Sequence, residues 1–230
     1  MKRFALAATV IIILGLFGAP ALASPVLSQP AVWSGNGTDV GISWTSQTSN
    51  GTGFVAFDDF MFGTDTLINE ITWEGIFLNS NLTNGSPNTS RWDVIINSST
   101  AGLPSGLIVA NTNVSVTTTT LGTGLFGGNP VTVYQFTAQF PAFDALANTQ
   151  YWISPVSVGP TFAPFFSWIQ GTGGDGFSAQ VQLSNFNPVA DGQQQGDRAL
   201  TLSRVPEPTT VTLLGLGLAA LALGRRRSRA

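Results

Sequence analysis

The middle of the chain alternates between apolar and polar residues in short segments. Examples are residues 40–44 and 71–78, and in the second of these Ile71, Trp73 and Phe77 fall on one face of an extended strand. An alternation with a period of two is typical of strands that bury one face. Similar segments occur at residues 54–60, 91–96, 107–110, 114–116, 131–136, 151–158, 165–169, 179–183 and 199–202. The pattern predicts an all-β fold in which Ile71, Trp73 and Phe77 are buried.

Turn-forming residues separate these segments, most densely at residues 79–90 and 171–176. Residues 117–128, a run of threonines followed by several glycines, are predicted to form a flexible surface loop, and residues 191–196 a second polar loop. About ten short strands at this spacing are typical of an antiparallel sandwich. We therefore predict a jelly-roll-like antiparallel β-sandwich over residues 24–204.

The first 23 residues have the three parts of a secretory signal peptide. Lys2 and Arg3 form the charged start, residues 5–18 the apolar centre, and Ala21 and Ala23 the small residues of a cleavage site. We predict that residues 1–23 form a helix, direct the chain to the Sec export machinery and are removed after Ala23.

The C-terminal segment, residues 205–230, begins with a rigid extended stretch. Pro206 and Pro208 fix φ and lack a backbone N–H, so the stretch cannot join a helix or a central strand. Glu207, between them, is predicted to be exposed. This shape suits the cleft of a processing enzyme.

An apolar run follows at residues 211–223 and predicts a short hydrophobic helix. Even when it is counted as residues 209–224, the run reaches only about 24 Å, whereas a bilayer's hydrocarbon core is about 30 Å thick. Two glycines inside the run weaken the helix further. Positive charge favours the cytoplasmic side of a membrane, so Arg225, Arg226 and Arg227 form a basic stop there. The segment is predicted to be a temporary membrane anchor.

These three parts, in this order, resemble the PEP-CTERM sorting signal of Gram-negative bacteria. Pro206, Glu207 and Pro208 match its motif, and the three arginines match its basic end. In that family a membrane-embedded exosortase recognises the signal. The resemblance therefore implies a precursor anchored in the inner membrane, exosortase processing, and a mature form at the cell surface or outside the cell. The family's association with exopolysaccharide and biofilms implies a matrix role, with polysaccharide as a further partner.

A looser resemblance covers the predicted sandwich. Residues 58–60, residues 71–73 and residues 149–152 resemble, in this order, segments of a widespread secreted β-sandwich that precedes several types of anchor. The resemblance supports the fold and implies no ligand.

The predicted sandwich is strongly acidic. Residues 24–204 contain three arginines and eleven carboxylates, a net charge of −8. Such a charge repels nucleic acid, so no nucleic-acid partner is expected. The chain has no cysteine, so its stability must come from its core rather than from disulfides.

The chain also lacks most residues that enzymes use for catalysis. It has no His and no Cys, and its single lysine is Lys2 in the signal peptide. This composition excludes a Ser-His-Asp triad, a cysteine nucleophile, a Schiff-base lysine and a zinc site with His or Cys ligands. Glu70 and Glu74 on one strand are about 13 Å apart, too far for a glycosidase pair, which needs roughly 5–9.5 Å. We predict no catalytic residue and no cofactor.

Two alternatives remain open at this point. The first is a carbohydrate-binding module that uses exposed aromatic residues, with or without calcium. Trp44, Trp73, Trp92 and Trp152 are predicted to lie in the core, whereas Trp168, before a glycine-rich loop, is predicted to be exposed. The second is a carbohydrate-active enzyme whose carboxylate pair comes from different strands.

The calcium hypothesis depends on Asp58, Asp59 or Asp175, whose carboxylates are hard oxygen ligands. The same residues are equally typical of solvated turns, so no residue is assigned to a metal.

Overall fold

A computed structural model describes residues 23–184 and 187–205, and one compact unit spans Pro25–Arg204. The regular elements of these described residues are all strands: β1 Ser24–Gln29, β2 Trp44–Thr45, β3 Gln47–Ser49, β4 Thr52–Phe60, β5 Thr66–Leu78, β6 Arg91–Thr100, β7 Leu103–Val114, β8 Val116–Phe126, β9 Asn129–Ala145, β10 Tyr151–Val158, β11 Phe165–Trp168, β12 Phe177–Ser184, β13 Asn187–Gln195 and β14 Leu200–Arg204.

The strands form two seven-stranded sheets. In the first sheet, β5 is central: β14 and β11 pair with one edge of it, β9 pairs with the other, and β1, β2 and β8 lie outside these neighbours. The second sheet has the order β13-β12-β4-β3-β10-β6-β7, with β4 also pairing with β10. The prediction of an all-β fold is confirmed, and the two sheets are consistent with a β-sandwich.

One strand pair departs from the predicted antiparallel arrangement. β3 is parallel to β10, with Ser157 opposite Gln47 and Val158 opposite Thr48. β4 is antiparallel to both β3 and β10. A short strand that folds back on β4 and enters the space beside β10 must therefore run in the same direction as β10.

Aromatic side chains from both sheets meet in the core. The ring centroid of Trp73 on β5 is 5.2 Å from that of Trp92 on β6 and 5.4 Å from that of Phe136 on β9. Trp92 also contacts Phe166 on β11, edge to face, at 4.9 Å. The predicted burial of Ile71, Trp73 and Phe77 is confirmed, because all three are essentially inaccessible to solvent.

Three local predictions were wrong. Residues 40–44 do not form one strand, since Gly41 has φ +71° and interrupts the extended backbone before β2. Residues 117–128 are not a flexible loop: they form most of β8 and the tight turn to β9. Residues 191–196 belong largely to β13, not to a loop. In the last two cases a long neighbouring strand supplies the backbone hydrogen bonds that a local pattern cannot reveal.

The predicted terminal helices lie outside the described residues. The same holds for the predicted site residues Ala21, Pro206, Glu207, Pro208, Arg225, Arg226 and Arg227. Ala23 is described, and it is exposed immediately before β1. Within residues 23–184 and 187–205, no helix has the length and apolar character needed to cross a membrane.

Candidate functional site

An aromatic cleft of about 210 Å³ lies where β2, β11 and β5 meet. β2 pairs with β11, with Trp44 opposite Trp168, and β11 pairs with β5, with Phe165 opposite Leu78. The residues that line the cleft are Ser43, Trp44, Thr45, Phe54, Leu78, Leu82, Phe126, Phe165, Ser167 and Gln180. The lining is thus aromatic and aliphatic, with uncharged hydroxyl and amide groups. This combination is typical of sites for small uncharged ligands.

Leu82 forms part of the rim in an unusual backbone conformation. Its φ is +61° and its side chain is 49% exposed. A leucine rarely adopts a positive φ, which must be imposed by its surroundings. Here the N–H of Leu82 donates to the carbonyl of Asn79, and the N–H of Asn79 donates to the carbonyl of Thr83. The loop therefore holds an exposed apolar side chain in place beside the cleft.

A second, more open cleft of about 570 Å³ continues from the first. The two share Ser43 and Phe126, and the second adds Asp39, Gly41, Ile42, Gly127 and Gln170. Ile42 is 44% exposed, and its N–H donates to Oε1 of Gln170 at 3.0 Å. The clefts together form a groove along the segment that precedes β2.

Arg198 holds one wall of this groove from inside the protein. Its guanidinium donates through Nη1 to the carbonyls of Ile42 at 3.0 Å and Trp168 at 3.3 Å. Through Nη2 it donates to the carbonyls of Gln195 at 3.2 Å and Gly196 at 2.8 Å. The side chain is fully buried, which lowers the pKa of Arg198 to about 10, so it stays protonated at neutral pH. One buried cation thereby ties together three separate segments of the chain.

The prediction that Trp168 is exposed is wrong. Trp168 is fully buried, and its indole N–H donates to the carbonyl of Ala199 at 2.8 Å. The residue belongs to β11, which pairs with the central strand β5 instead of leading into a loop. Of the two partly exposed tryptophans, Trp33 and Trp44, only Trp44 lines the groove. The prediction that Trp44 lies in the core holds in part, because its side chain packs against the core and is also partly exposed in the groove.

The three aspartates of the calcium hypothesis do not share one site. Asp58 is fully buried and accepts a hydrogen bond from the N–H of Arg198 at 2.8 Å. Asp59 and Asp175 line a different cleft of about 440 Å³, where Oδ2 of Asp59 accepts a bond from Gln150. Among the described residues, no group of three or more His, Cys, Asp or Glu side chains is arranged to hold a metal.

Glu70 and Glu74 each interact with a different glutamine of β9. Oε2 of Glu70 accepts a bond from Gln139 at 3.2 Å, and Glu74 lies opposite Gln135. Burial raises the pKa of Glu74, while the hydrogen bond with Gln135 opposes that rise. The two carboxylates therefore belong to separate pairs along β5.

The comparisons with known proteins concern the C-terminal segment. A family model described as the PEP-CTERM protein-sorting motif matches residues 204–227. The chain carries a PEP-CTERM sorting motif. The match includes Pro206, Glu207 and Pro208 as well as the arginines at 225–227, so the recognition made from the sequence is confirmed. No curated protein and no solved structure matches the chain.

The PEP-CTERM match begins at Arg204, the last residue of β14. The match thus begins within the final strand of the first sheet and shares one residue with it. A PEP-CTERM signal marks an exported precursor that is anchored in a membrane at the cell envelope and is processed by an exosortase.

One buried and two partly buried carboxyl groups make the stability of this protein depend on pH. Burial is the main cause that raises the pKa of Asp58, Asp59 and Glu74. A carboxyl group with a higher pKa in the folded than in the unfolded state binds more protons when folded, so its contribution falls as pH rises through the folded pKa. We expect urea unfolding to show a higher free energy of unfolding at about pH 5 than at about pH 8.

Two single substitutions test this pH dependence. Asp58→Asn is the test variant, and Asp144→Asn is its matched control. Asp58 is buried and Asp144 is exposed, and both substitutions remove one carboxylate. The first should reduce the difference between the two pH values and the second should leave it unchanged. A free energy of unfolding that rises with pH in the wild type would contradict the prediction.

Proposed function

We propose that this chain is an exported, non-catalytic protein of the cell surface or extracellular matrix of a Gram-negative bacterium. The observation that carries the proposal is the PEP-CTERM match at residues 204–227, which begins at the last residue of the last strand. The Sec machinery exports the chain through its N-terminal signal, and the C-terminal apolar run holds the precursor in the inner membrane. An exosortase then acts near residues 206–208, and the released sandwich associates with exopolysaccharide.

The chemistry of the chain supports the non-catalytic part of this proposal. The chain has neither His nor Cys, and its single lysine is Lys2. Glu70 and Glu74 interact with separate glutamines instead of facing one another across a cleft. The groove contains one carboxylate, Asp39, at its open end. A binding or structural role fits these groups better than acid–base catalysis does.

Intact-mass analysis tests the proposed route. The chain is expressed with its own signals in a host that encodes an exosortase and in the same host lacking that gene. We expect the first host to yield a chain without Arg225, Arg226 and Arg227, and the second to retain them. A protein that keeps these arginines in both hosts would overturn the proposal.

A second candidate function is carbohydrate binding, and the aromatic cleft is the observation that favours it. Trp44, Phe126 and Phe165 offer apolar faces beside hydroxyl and amide groups, the combination that suits a sugar ring. At about 210 Å³ the cleft is smaller than the roughly 300–1,000 Å³ of typical ligand pockets. It therefore fits one ring or the end of a glycan.

The expected result for this candidate is a loss of glycan binding in Trp44→Ala. On an array of neutral oligosaccharides, the apparent affinity should fall about tenfold or more, because the substitution removes the largest aromatic face of the cleft. Leu107→Ala is the control, since Leu107 is 62% exposed on β7 and does not line the cleft. Repeating the array with a calcium chelator tests whether an ion takes part. Equal binding by both variants, or none by the wild type, favours a purely structural role.

A further inference from the structure

The outer edge of β8 is covered along only half of its length. One edge of β8 pairs with β9 from Val116 to Phe126. On the other edge, the N–H of Leu125 donates to the carbonyl of Thr38, and the N–H of Gly37 donates to the carbonyl of Thr123. Among the residues that the structure describes, no backbone hydrogen bond reaches the outer edge of residues 116–120.

This open half lacks the features that usually protect an edge strand. Proline, charged side chains and β-bulges prevent the pairing of exposed edges. β7, one of the two edge strands of the second sheet, contains Pro104 and three register shifts against β6. Residues 116–120 contain no proline and no charge, and their register with β9 is unbroken until the shift at Gly122. The segment is therefore competent to pair with another strand.

β8 itself and its partner β9, as far as Asp144, carry no charge in an otherwise acidic domain. The sequence contains no charged residue between Asp93 and Asp144, a stretch that includes β7 and β8 and most of β9. Two copies of a domain with a net charge of −8 repel one another, and an approach along a neutral edge meets least of that repulsion. Charge thus favours this edge as the place where two copies meet.

We propose that residues 116–120 pair with the same residues of a second copy, antiparallel, about a twofold axis through Thr118. In this register Thr118 lies opposite Thr118 of the second copy, and Thr117 lies opposite Thr119. Cross-strand threonine pairs are favourable, and all four threonines are exposed in one copy. A twofold interface uses the same patch on both copies. The first sheets of the two copies then join into one continuous sheet.

The association is expected to be reversible. Five residues of an edge strand bury less surface than the roughly 1,200–2,000 Å² of stable interfaces. Dimers should therefore form mainly where the protein is concentrated, as on a crowded cell surface.

Sedimentation velocity over a concentration series tests this interface with the exported, processed chain. We expect the wild type to shift from monomer towards dimer as concentration rises, and Thr118→Lys/Thr119→Lys to stay monomeric. In the proposed register this substitution places like charges directly opposite one another, which is destabilising. Thr64→Lys/Ser86→Lys is the control, since it adds the same charge at exposed positions outside β8 and should still dimerise. Thermal melting checks that both variants remain folded.

A charge swap separates edge pairing from other causes of association. Thr118→Glu/Thr119→Glu should also be monomeric alone, and mixing it with Thr118→Lys/Thr119→Lys should restore a dimer. Mixing the corresponding variants at Thr64 and Ser86 should add no dimer beyond that of the wild type. A monomeric wild type at every concentration, or a lysine variant that still dimerises, would overturn the proposal.

Discussion

Replacing Pro206, Glu207 and Pro208 together with alanine is expected to abolish exosortase processing. Pro206 and Pro208 fix φ and lack an N–H, which disfavours a helix, whereas alanine is the best helix former. The substitution also removes the carboxylate of Glu207. In the recognition that we propose, the processing enzyme would then meet a segment with neither the prolines nor the acidic group of the motif.

Intact mass in the exosortase-containing host measures this effect. The alanine variant should retain Arg225, Arg226 and Arg227 in nearly every molecule. Thr209→Ala/Thr210→Ala is the control, since it changes the next two residues and keeps the motif. Processing of the motif variant at the wild-type level would show that the enzyme does not read these three residues.

Replacing Arg198 with methionine is expected to lower the free energy of unfolding by about 3–5 kcal/mol. Methionine has a similar length but no donors, so the carbonyls of Ile42, Trp168, Gln195 and Gly196 each lose a partner. Buried acceptors without partners carry their full desolvation cost. Asp58 also loses the nearby positive charge that opposes the rise of its pKa.

Urea unfolding of the processed chain measures the change, and Arg91→Met is the matched control. Arg91 is half exposed and pairs with Asp93 at 3.2 Å, and an exposed ion pair contributes at most about 1 kcal/mol. A loss in Arg198→Met no larger than that in Arg91→Met would contradict the structural role given to the buried guanidinium. Because Arg198 also holds the carbonyl of Ile42, its loss should loosen one wall of the groove.

Local patterns predicted the elements that depend on local geometry. Ile71, Trp73 and Phe77 were placed in the core from their alternation alone, since a strand with one buried face has a period of two. The exposure predicted for Trp168 is wrong because residues 165–169 are apolar on both faces of the strand. Alternation therefore does not indicate which face is buried there. The strand at residues 116–126 was missed because β9, its partner, supplies the pairing that threonine and glycine alone do not reveal.

The residues of the candidate site could be predicted even less well from local sequence patterns. Trp44, Leu82, Phe126 and Phe165 lie far apart in the sequence and meet only because β2, β11 and β5 pair side by side and the end of β8 comes near. Arg198 was counted only as a charge, although its partners come from three distant segments.

The sequence by itself determined the sorting motif, the all-β class and the absence of most catalytic side chains. These properties depend on residue type and on neighbours within a few positions of the sequence. The sorting motif, for example, is defined by consecutive residues and needs no tertiary contact. Only the tertiary structure decided which tryptophan lines a cleft, what the buried arginine holds, and which half of β8 remains open. Each of these depends on contacts between residues distant in the chain, whose geometry is set by the register of paired strands.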